Sequence, residues 1–291
     1  MAGFSLDDVS IRYAVIGDPV AHSLSPAMQN AGLAALGRQE RYGMFHVLPE
    51  ELPEFAEFAR QNLAGFNITV PHKKAVIPLL DAVSPEAAAV GSVNTVTVRD
   101  GALHGDSTDG YGLLTALAEA FDFRPEGGAV LVLGAGGAAQ AVAGDLVRHG
   151  VRRLIVANRT LEKAQILAER CAASGRTAAE ALALTDQDAL RKAVRETDVV
   201  IQATSAGLHP EDPPPVDLEL LREARGIFDM IYHATPVQRF ARRNRIPCAD
   251  GRGMLLHQGA KSLSLWLNAP APVAVMRQAL DKAIAARSKG A

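Results

Sequence analysis

Val130-Leu131-Val132-Leu133-Gly134-Ala135-Gly136-Gly137-Ala138-Ala139 runs from apolar residues into glycines near the middle of the chain. A short apolar run breaks into glycines and resumes as an Ala-rich amphipathic stretch, the pattern of a strand, a tight turn and a helix. A turn of this kind holds a dinucleotide pyrophosphate. Gly134 allows the bend, Gly136 lets backbone N–H groups approach phosphate, and the small residues after it let the helix pack close to its strand. The helix N-terminus then faces the negative charge. Gly-rich turns are common in α/β proteins, so this stretch alone leaves cofactor binding open.

The next strand adds context. Arg153-Leu154-Ile155-Val156-Ala157 ends in Asn158-Arg159-Thr160. An NAD site usually places Asp or Glu at this point to accept from the ribose 2′-hydroxyl. Here there is no acid. Arg159 offers a guanidinium that can pair with a 2′-phosphate and stack on adenine, and Asn158 and Thr160 can add hydrogen bonds to the same phosphate. The plain alternative is a solvated Arg159 and a Thr160 that only caps the helix beginning at Leu161. With the glycine loop at the right spacing, NADP is the favoured reading.

Working outward, strand-like runs alternate with helical patterns almost throughout, which predicts α/β architecture with parallel sheets. Residues 13–17 read as the first strand. Ser25-Pro26 starts a helix, with Ser25 as N-cap and Pro26 at the first helical position. Residues 44–47 are a strand, 50–62 an amphipathic helix, and 65–70 a strand stopped by Pro71. Residues 93–98 and 102–104 flank Arg99-Asp100-Gly101 and pair as a hairpin. A helix follows Asp109. The second half repeats strand and helix at 130–133, 138–149, 153–157 and 161–173. An ambiguous Ala-rich stretch precedes a helix over 185–195. Further strands are expected at 199–201 and 227–230, and a helix from Pro236. Two closing helices, about 253–267 and 270–286, carry no βαβ signal and are expected to pack back on the first domain.

Length and composition bound the answer. The 291 residues suggest two domains, each with its own core. Hydrophobic content of 48% and charged content of 21% are ordinary for a globular protein. A net charge of −2 gives no reason to expect nucleic acid or an anionic membrane as partner. No apolar run approaches a membrane span, and the N-terminal residues lack the basic and apolar regions of a signal peptide, so a cytoplasmic setting is expected. Cys171 and Cys248 form neither a disulfide framework nor a metal spacing, and no other cluster suggests a metal.

Further motifs, taken together, identify a resemblance. In the first half they are Gly17-Asp18-Pro19-Val20-Ala21-His22-Ser23-Leu24-Ser25-Pro26, Asn67-Ile68-Thr69-Val70-Pro71-His72-Lys73, Gly91-Ser92-Val93-Asn94-Thr95 and Gly105-Asp106-Ser107-Thr108-Asp109-Gly110. The second half adds Ala203-Thr204-Ser205-Ala206-Gly207, Asp229-Met230-Ile231-Tyr232 and Gly251-Arg252-Gly253-Met254-Leu255-Leu256-His257-Gln258-Gly259-Ala260. In this order, beside the NADP fingerprint, they resemble the shikimate dehydrogenase family over nearly the whole chain. The resemblance implies reversible, NADP-dependent reduction of 3-dehydroshikimate to shikimate, on the route to chorismate and the aromatic amino acids. It implies a substrate-binding and catalytic domain over 1–110 plus 254–291, and a Rossmann-type NADP-binding domain over 111–253.

The resemblance also implies roles. Lys73 and Asp109 match the family's catalytic pair. A lysine and a carboxylate brought together can move the alcohol proton that must leave or arrive as hydride is transferred. How the two share that proton the sequence leaves open. Ser23 and Ser25 match a pair that grips the substrate carboxylate, although simple helix capping would leave the same trace. Thr69, Asn94, Tyr232 and Gln258 match positions that touch the substrate, whose ring hydroxyls need a dense polar lining. For the cofactor the matching positions are Gly134, Ala135, Gly136, Gly137, Ala138, Asn158, Arg159, Thr160, Lys163, Thr204, Ser205, Ala206, Met230, Gly251 and Met254. Met254 reads equally well as a core methionine. His22 and His72 are expected to be structural or exposed rather than bases.

Three positions depart from the family's habit: Gln29 where His is frequent, Gln202 where Asn is frequent, and Lys163 where Arg is frequent. Lys163 keeps the charge near a 2′-phosphate and loses the fork geometry. The alternatives within the family are quinate/shikimate and aminoshikimate dehydrogenases with relaxed specificity. The methylene-tetrahydrofolate dehydrogenase layout is disfavoured by Ser23-Leu24-Ser25. A ligand-sensing regulatory protein on the same fold is disfavoured by the presence of both Lys73 and Asp109. The partner expected is a small-molecule substrate. A homodimer stays an open option that no residue pattern decides.

Overall fold

A computed structural model describes residues 4–6, 8–209 and 211–290, with side chains to residue 287. The chain divides into two compact units, residues 1–112 with 255–291, and residues 113–254.

The first unit begins with β1 (Ile11–Gly17), α1 (Ser25–Ala35), β2 (Arg41–His46), α2 (Leu52–Asn62) and β3 (Gly65–Ile68). It continues through the single turn α3 (His72–Ala75), the short β4 (Ala82–Val83), α4 (Pro85–Val90), β5 (Thr95–Arg99), β6 (Ala102–Asp106) and the first turn of α5 (Asp109–Phe121). Its sheet runs in the order β2-β1-β3-β5-β6-β4. The expectation of parallel sheets needs correcting here. β2, β1 and β3 are parallel, but β5 is antiparallel to both β3 and β6. The cause is local: β5 and β6 are joined by a tight hairpin in which Asp100 and Gly101 both take positive φ, and such a turn reverses the chain.

One face of this sheet is covered by α2, with Phe55, Phe66, Leu103 and Val96 in a common core. The other face carries α1 and the closing helices. Val15, Leu24, Met28 and Leu33 pack with Leu256, Leu263, Met276 and Leu280. Those last residues lie on the two closing helices, α10 (Gly251–Leu267) and α11 (Val273–Gly290).

The second unit holds β7 (Ala129–Leu133), α6 (Gly137–Arg148), β8 (Arg153–Asn158), α7 (Leu161–Ala172), β9 (Ala178–Ala183) and α8 (Gln187–Glu196). After these come β10 (Val199–Gln202), β11 (Ile227–Asp229), α9 (Pro236–Arg243) and β12 (Cys248–Asp250). All six strands are parallel, in the order β12-β11-β10-β7-β8-β9. The chain moves outward from β7 in one direction through β8 and β9, then returns to β10 on the other side. The crevice at that reversal, beyond the carboxyl end of β7, is where such sheets bind ligands. The Ala-rich stretch that the sequence leaves ambiguous is β9, an edge strand whose alanines carry little strand propensity.

Candidate active site and cofactor cavity

In the first unit Lys73 and Asp109, expected to form a catalytic pair, come together at the end of β3 and the start of α5. Lys73 stands in the single turn after Pro71. Asp109 opens α5. The Lys73 ammonium donates to Asp109 Oδ2 at 2.6 Å. The other carboxylate oxygen, Oδ1, accepts from Asn94 Nδ2 at 2.8 Å. The same amide nitrogen reaches Gln258 Oε1 at 3.3 Å and Thr108 Oγ1 at 3.0 Å. Gln258 is fixed in turn by donating to the Leu255 carbonyl at 2.9 Å. Lys73 and Asp109 side chains are 30% and 23% exposed, so the pair is sheltered yet open to a ligand.

Asn94 is itself locked. Its Oδ1 accepts from the Thr108 backbone N–H at 2.8 Å and from Thr95 Oγ1 at 3.1 Å. Lys73 is tied to the same segment, its carbonyl accepting from Val93 N at 2.8 Å. One side chain therefore cannot shift without dragging its neighbours, which is the rigidity that proton transfer needs.

The serine pair differs from the sequence expectation. Ser25 is the first residue of α1 rather than its N-cap, a position held by Leu24, which caps through no side-chain bond. The capping task falls to Ser23, whose Oγ accepts from Ser25 N at 3.2 Å. The physical reason is the extra turn over Ala21–His22, which winds the chain so that Ser23 rather than Ser25 precedes the open N–H groups. Having accepted there, the Ser23 hydroxyl keeps its own proton to donate. Arg287 from α11 pins this loop by donating to the carbonyls of His22 and Ser23. Thr69 follows β3, and its backbone N–H donates to Ile16 O at 2.9 Å. His22 is exposed and His72 fully buried, its Nε2 against the Val47 carbonyl at 2.7 Å. Gln29 is fully buried and donates to Gly259 O.

The second unit has a cavity of about 1100 Å³ at the carboxyl ends of β7, β8 and β10. It gathers Gly134, Ala135, Gly136, Gly137, Ala138, Asn158, Arg159, Thr160, Lys163, Thr204, Ser205, Ala206 and Met230. Gly134 has φ +112°, and a Cβ there would lie 3.0 Å from the Ala203 carbonyl oxygen. Protein packing thus requires that glycine. A Cβ at Gly136 or Gly137 would meet no protein atom within 4 Å, so these two leave room for something other than protein. Gly136 is the N-cap of α6 and offers no side chain to its first turn, which leaves backbone N–H groups for an anion. At the same mouth stand the cations of Arg159 and Lys163. Thr160 occupies the N-cap of α7 without a side-chain cap bond, so its hydroxyl is not spent on the helix. Asn158 Nδ2 donates to the Thr160 carbonyl and shapes that corner. A dinucleotide carrying a 2′-phosphate fits this donor set.

Gly251 and Met254 do not line the cavity. Gly251 lies against the Met230 carbonyl so closely that a Cβ would overlap it, and Met254 packs on the unit's core. Tyr232 is 39% exposed on the loop after β11. Sequence reading missed Gln140, Ile166, Leu184, Leu208, Ile231 and the stiff Pro213-Pro214-Pro215 segment, all of which line the cavity. Gln202, one of the departures, is fully buried and shapes the next loop, accepting from Thr204 N at 2.6 Å and donating to Ala206 O at 3.0 Å.

Comparison with known proteins agrees along the chain. Family models match for the shikimate dehydrogenase substrate binding domain over residues 15–96, shikimate/quinate 5-dehydrogenase over 117–209, and the shikimate 5′-dehydrogenase C-terminal domain over 251–280. The shikimate dehydrogenase (NADP+) of Moorella thermoacetica is 42% identical over 281 residues, 95% of each chain. A crystal structure of a shikimate dehydrogenase in complex with NADP+ superposes with a TM-score of 0.85 at 32% identity, covering 98% of this chain and 99% of that one. The Thermus thermophilus enzyme, in complex with NADP(H) and shikimate, gives 0.80 at 37% identity, covering 94% and 99%.

Proposed function

The chain belongs to the shikimate dehydrogenase family, and from that premise we propose that it reduces 3-dehydroshikimate to shikimate reversibly with NADP(H). The observation that carries the reading is the Lys73–Asp109 pair at 2.6 Å, held by Asn94 on its far oxygen. The first unit is then the substrate-binding and catalytic domain and the second the NADP-binding domain. A cytoplasmic setting accords with the two free thiols, Cys171 and Cys248.

Bound NADPH supplies the hydride. The chain's own residues manage everything else. An ammonium has three N–H donors, and Lys73 spends one on Asp109. The remaining two can meet the oxygen of the reacting carbon, stabilise charge growing there and deliver a proton to it. In the oxidative direction Lys73 takes that proton back. Asp109 cannot swing away, because Asn94 holds its second oxygen, so it orients Lys73 and the substrate hydroxyl together. Asn94 and Gln258 present amides to ring hydroxyls, joined by Thr69 and Tyr232. Ser23, with its proton unspent, and Ser25 grip the carboxylate.

On the cofactor, the open backbone around Gly136 and Gly137 and the N-terminus of α6 receive the pyrophosphate. Arg159 and Lys163 receive the 2′-phosphate, with Asn158 and Thr160 beside them. Thr204, Ser205, Ala206 and Met230 line the wall further along, supported by Gly251 and Met254.

The test is absorbance at the reduced-nicotinamide band, with each pairing of shikimate or quinate with NADP+ or NAD+, for wild type and Lys73→Ala. Turnover with shikimate and NADP+ that is lost in Lys73→Ala is expected. Comparable rates with quinate or NAD+ would move the protein to the broader-specificity branch. No turnover with any pairing would overturn the assignment.

A further inference from the structure

Behind the reactive pair, the first unit contains a buried polar track that catalysis does not by itself require. It starts at Tyr42 on β2, which is 3% exposed. The Tyr42 hydroxyl donates to Asn67 Oδ1 at 2.8 Å. Asn67 Nδ2 passes the track on, donating to Thr95 Oγ1 at 3.1 Å, to Ser262 Oγ at 3.0 Å and to the Asn94 carbonyl at 3.1 Å. Thr95 Oγ1 then donates to Asn94 Oδ1, and Asn94 Nδ2 donates to Asp109. At its other end the track is fastened to α1, the helix that opens with Ser25.

Tyr42 is clamped to the helix that carries Ser25. Asn30 of α1 donates to the Tyr42 carbonyl and accepts from its N–H, both at 2.9 Å. Every side chain from Tyr42 to Asn94 on this track is at least nine-tenths buried, with Thr95 fully so. Buried polar groups are costly unless satisfied, and here each satisfies the next. Burial pushes ionisation of the phenol well above the usual tyrosine range, so it serves as a neutral hydroxyl.

We infer that Tyr42 is a positioning residue: through Asn30 of the helix that opens with Ser25 on one side and Asn67, Thr95 and Asn94 on the other, it sets the spacing between the carboxylate grip and the Lys73–Asp109 pair. This rests on the reading that the unit binds shikimate. A substrate that bridges both ends would feel slack in the track as weaker binding, while a cofactor held by the second unit would not.

The experiment is steady-state kinetics of wild type, Tyr42→Phe, Asn30→Ala and the double variant, with thermal melting of each. Tyr42→Phe is expected to raise KM for shikimate about tenfold, the scale of one hydrogen bond of about 1.4 kcal/mol. KM for NADP+ and kcat should stay within about threefold, a factor below one net hydrogen bond. In the double variant the two losses should not multiply, because both cut the same path from α1 to Asn94. An unchanged KM, an equal rise in both KM values, or independent losses would overturn the inference. Should Tyr42→Phe fail to fold, Thr95→Val cuts the track at another link. It should lower kcat by about fivefold through Asn94, again on the scale of one hydrogen bond, and wild-type kcat in that variant would overturn the inference. If wild type itself fails to oxidise shikimate, the functional reading falls. If wild type is active and the variants match it, only the positioning role falls.

Discussion

Under the proposed function, the two units solve opposite binding problems with opposite materials. In the first, polar side chains are bonded to one another before any ligand arrives: Lys73, Asp109, Asn94 and Gln258 form one cluster, backed by Asn67, Thr95 and Ser262. In the second, the glycine loop from Gly134 to Ala138 offers backbone and small residues, and among the described lining residues charge stands only at Arg159 and Lys163. A ring of hydroxyls must be met group by group, and an unmatched buried hydroxyl costs roughly 1–3 kcal/mol. A pyrophosphate needs only aligned N–H groups and room. Substitution should therefore damage the first unit through lost side-chain partners and the second through added atoms.

The largest effect that could break this contrast comes from Lys73. Lys73→Ala removes the proton carrier and the neighbour of Asp109. A loss in kcat of about a thousandfold or more is expected, at the upper part of the range for general acid–base groups. Binding of NADP+, measured by fluorescence titration, should stay near wild type, since no cofactor group is touched. A large loss of NADP+ affinity would show that the two units are not separable in this way.

Next in size is the 2′-phosphate. Arg159→Ala removes a charge-assisted partner, of about 1.5–3 kcal/mol. KM for NADP+ should rise about 10- to 100-fold, while KM for NAD+, which lacks that phosphate, should hardly move. Equal loss for both would mean that Arg159 serves only the adenine. Retained preference would assign the discrimination to Lys163.

Two neighbouring glycines sharpen the comparison further. Gly134→Ala places a methyl at φ +112° against the Ala203 carbonyl, so it should destabilise the protein by about 1–3 kcal/mol in denaturant unfolding. Gly136 has φ −77°, which alanine adopts without strain, and its added methyl meets no protein atom. Gly136→Ala should leave stability unchanged or raise it by up to about 1 kcal/mol. It should nonetheless raise KM for NADP+ by about tenfold or more, because the methyl stands where phosphate must approach the backbone. Normal cofactor binding in Gly136→Ala would remove the case for a backbone cradle.

The same contrast explains what could be read from the sequence. The second unit was legible because a backbone cradle writes itself into consecutive residues: apolar strand, glycines, helix, then Asn158-Arg159-Thr160. The reactive residues of the first unit were legible only as a set, through four ordered motifs, since Lys73 alone looks like any surface lysine. The supporting track was not legible. Asn67 and Ser262 are 195 residues apart, and nothing local marks either as its partner's neighbour. Ser25 misled because a serine before Pro26 looks like a cap, and the choice between Ser23 and Ser25 depends on how the preceding loop turns. The mixed order of the first sheet was equally hidden, for the hairpin was expected while its insertion between β3 and β4 depends on tertiary packing.

The smallest expected effect concerns a row that the sequence does not reveal and the strand register does. Gln202, Asp229 and Asp250 lie side by side at the ends of β10, β11 and β12. Each holds its own exit loop. Asp229 accepts from Ile231 N at 3.0 Å and Thr235 Oγ1 at 2.6 Å, and Asp250 accepts from Arg252. Asp229 is fully buried, and desolvation raises its pKa above the ordinary 3.8, the bonds from Thr235 and Ile231 only partly opposing it. Below the ordinary value the folded and unfolded chains both carry the proton, and Asp229 contributes its full share of stability. As pH rises through the raised folded value, the carboxylate ionises in a poor environment and that share is lost. Asn at 229 stays neutral throughout. The stability of wild type relative to Asp229→Asn, from urea unfolding across the acid range, should therefore be greatest below about pH 4. It should decline toward neutrality. A flat difference would mean that the loop after β11 is set by geometry alone. A rising one would mean that the loop's N–H and O–H donors outweigh burial. Either result would make this end of the second unit resemble the side-chain network of the first.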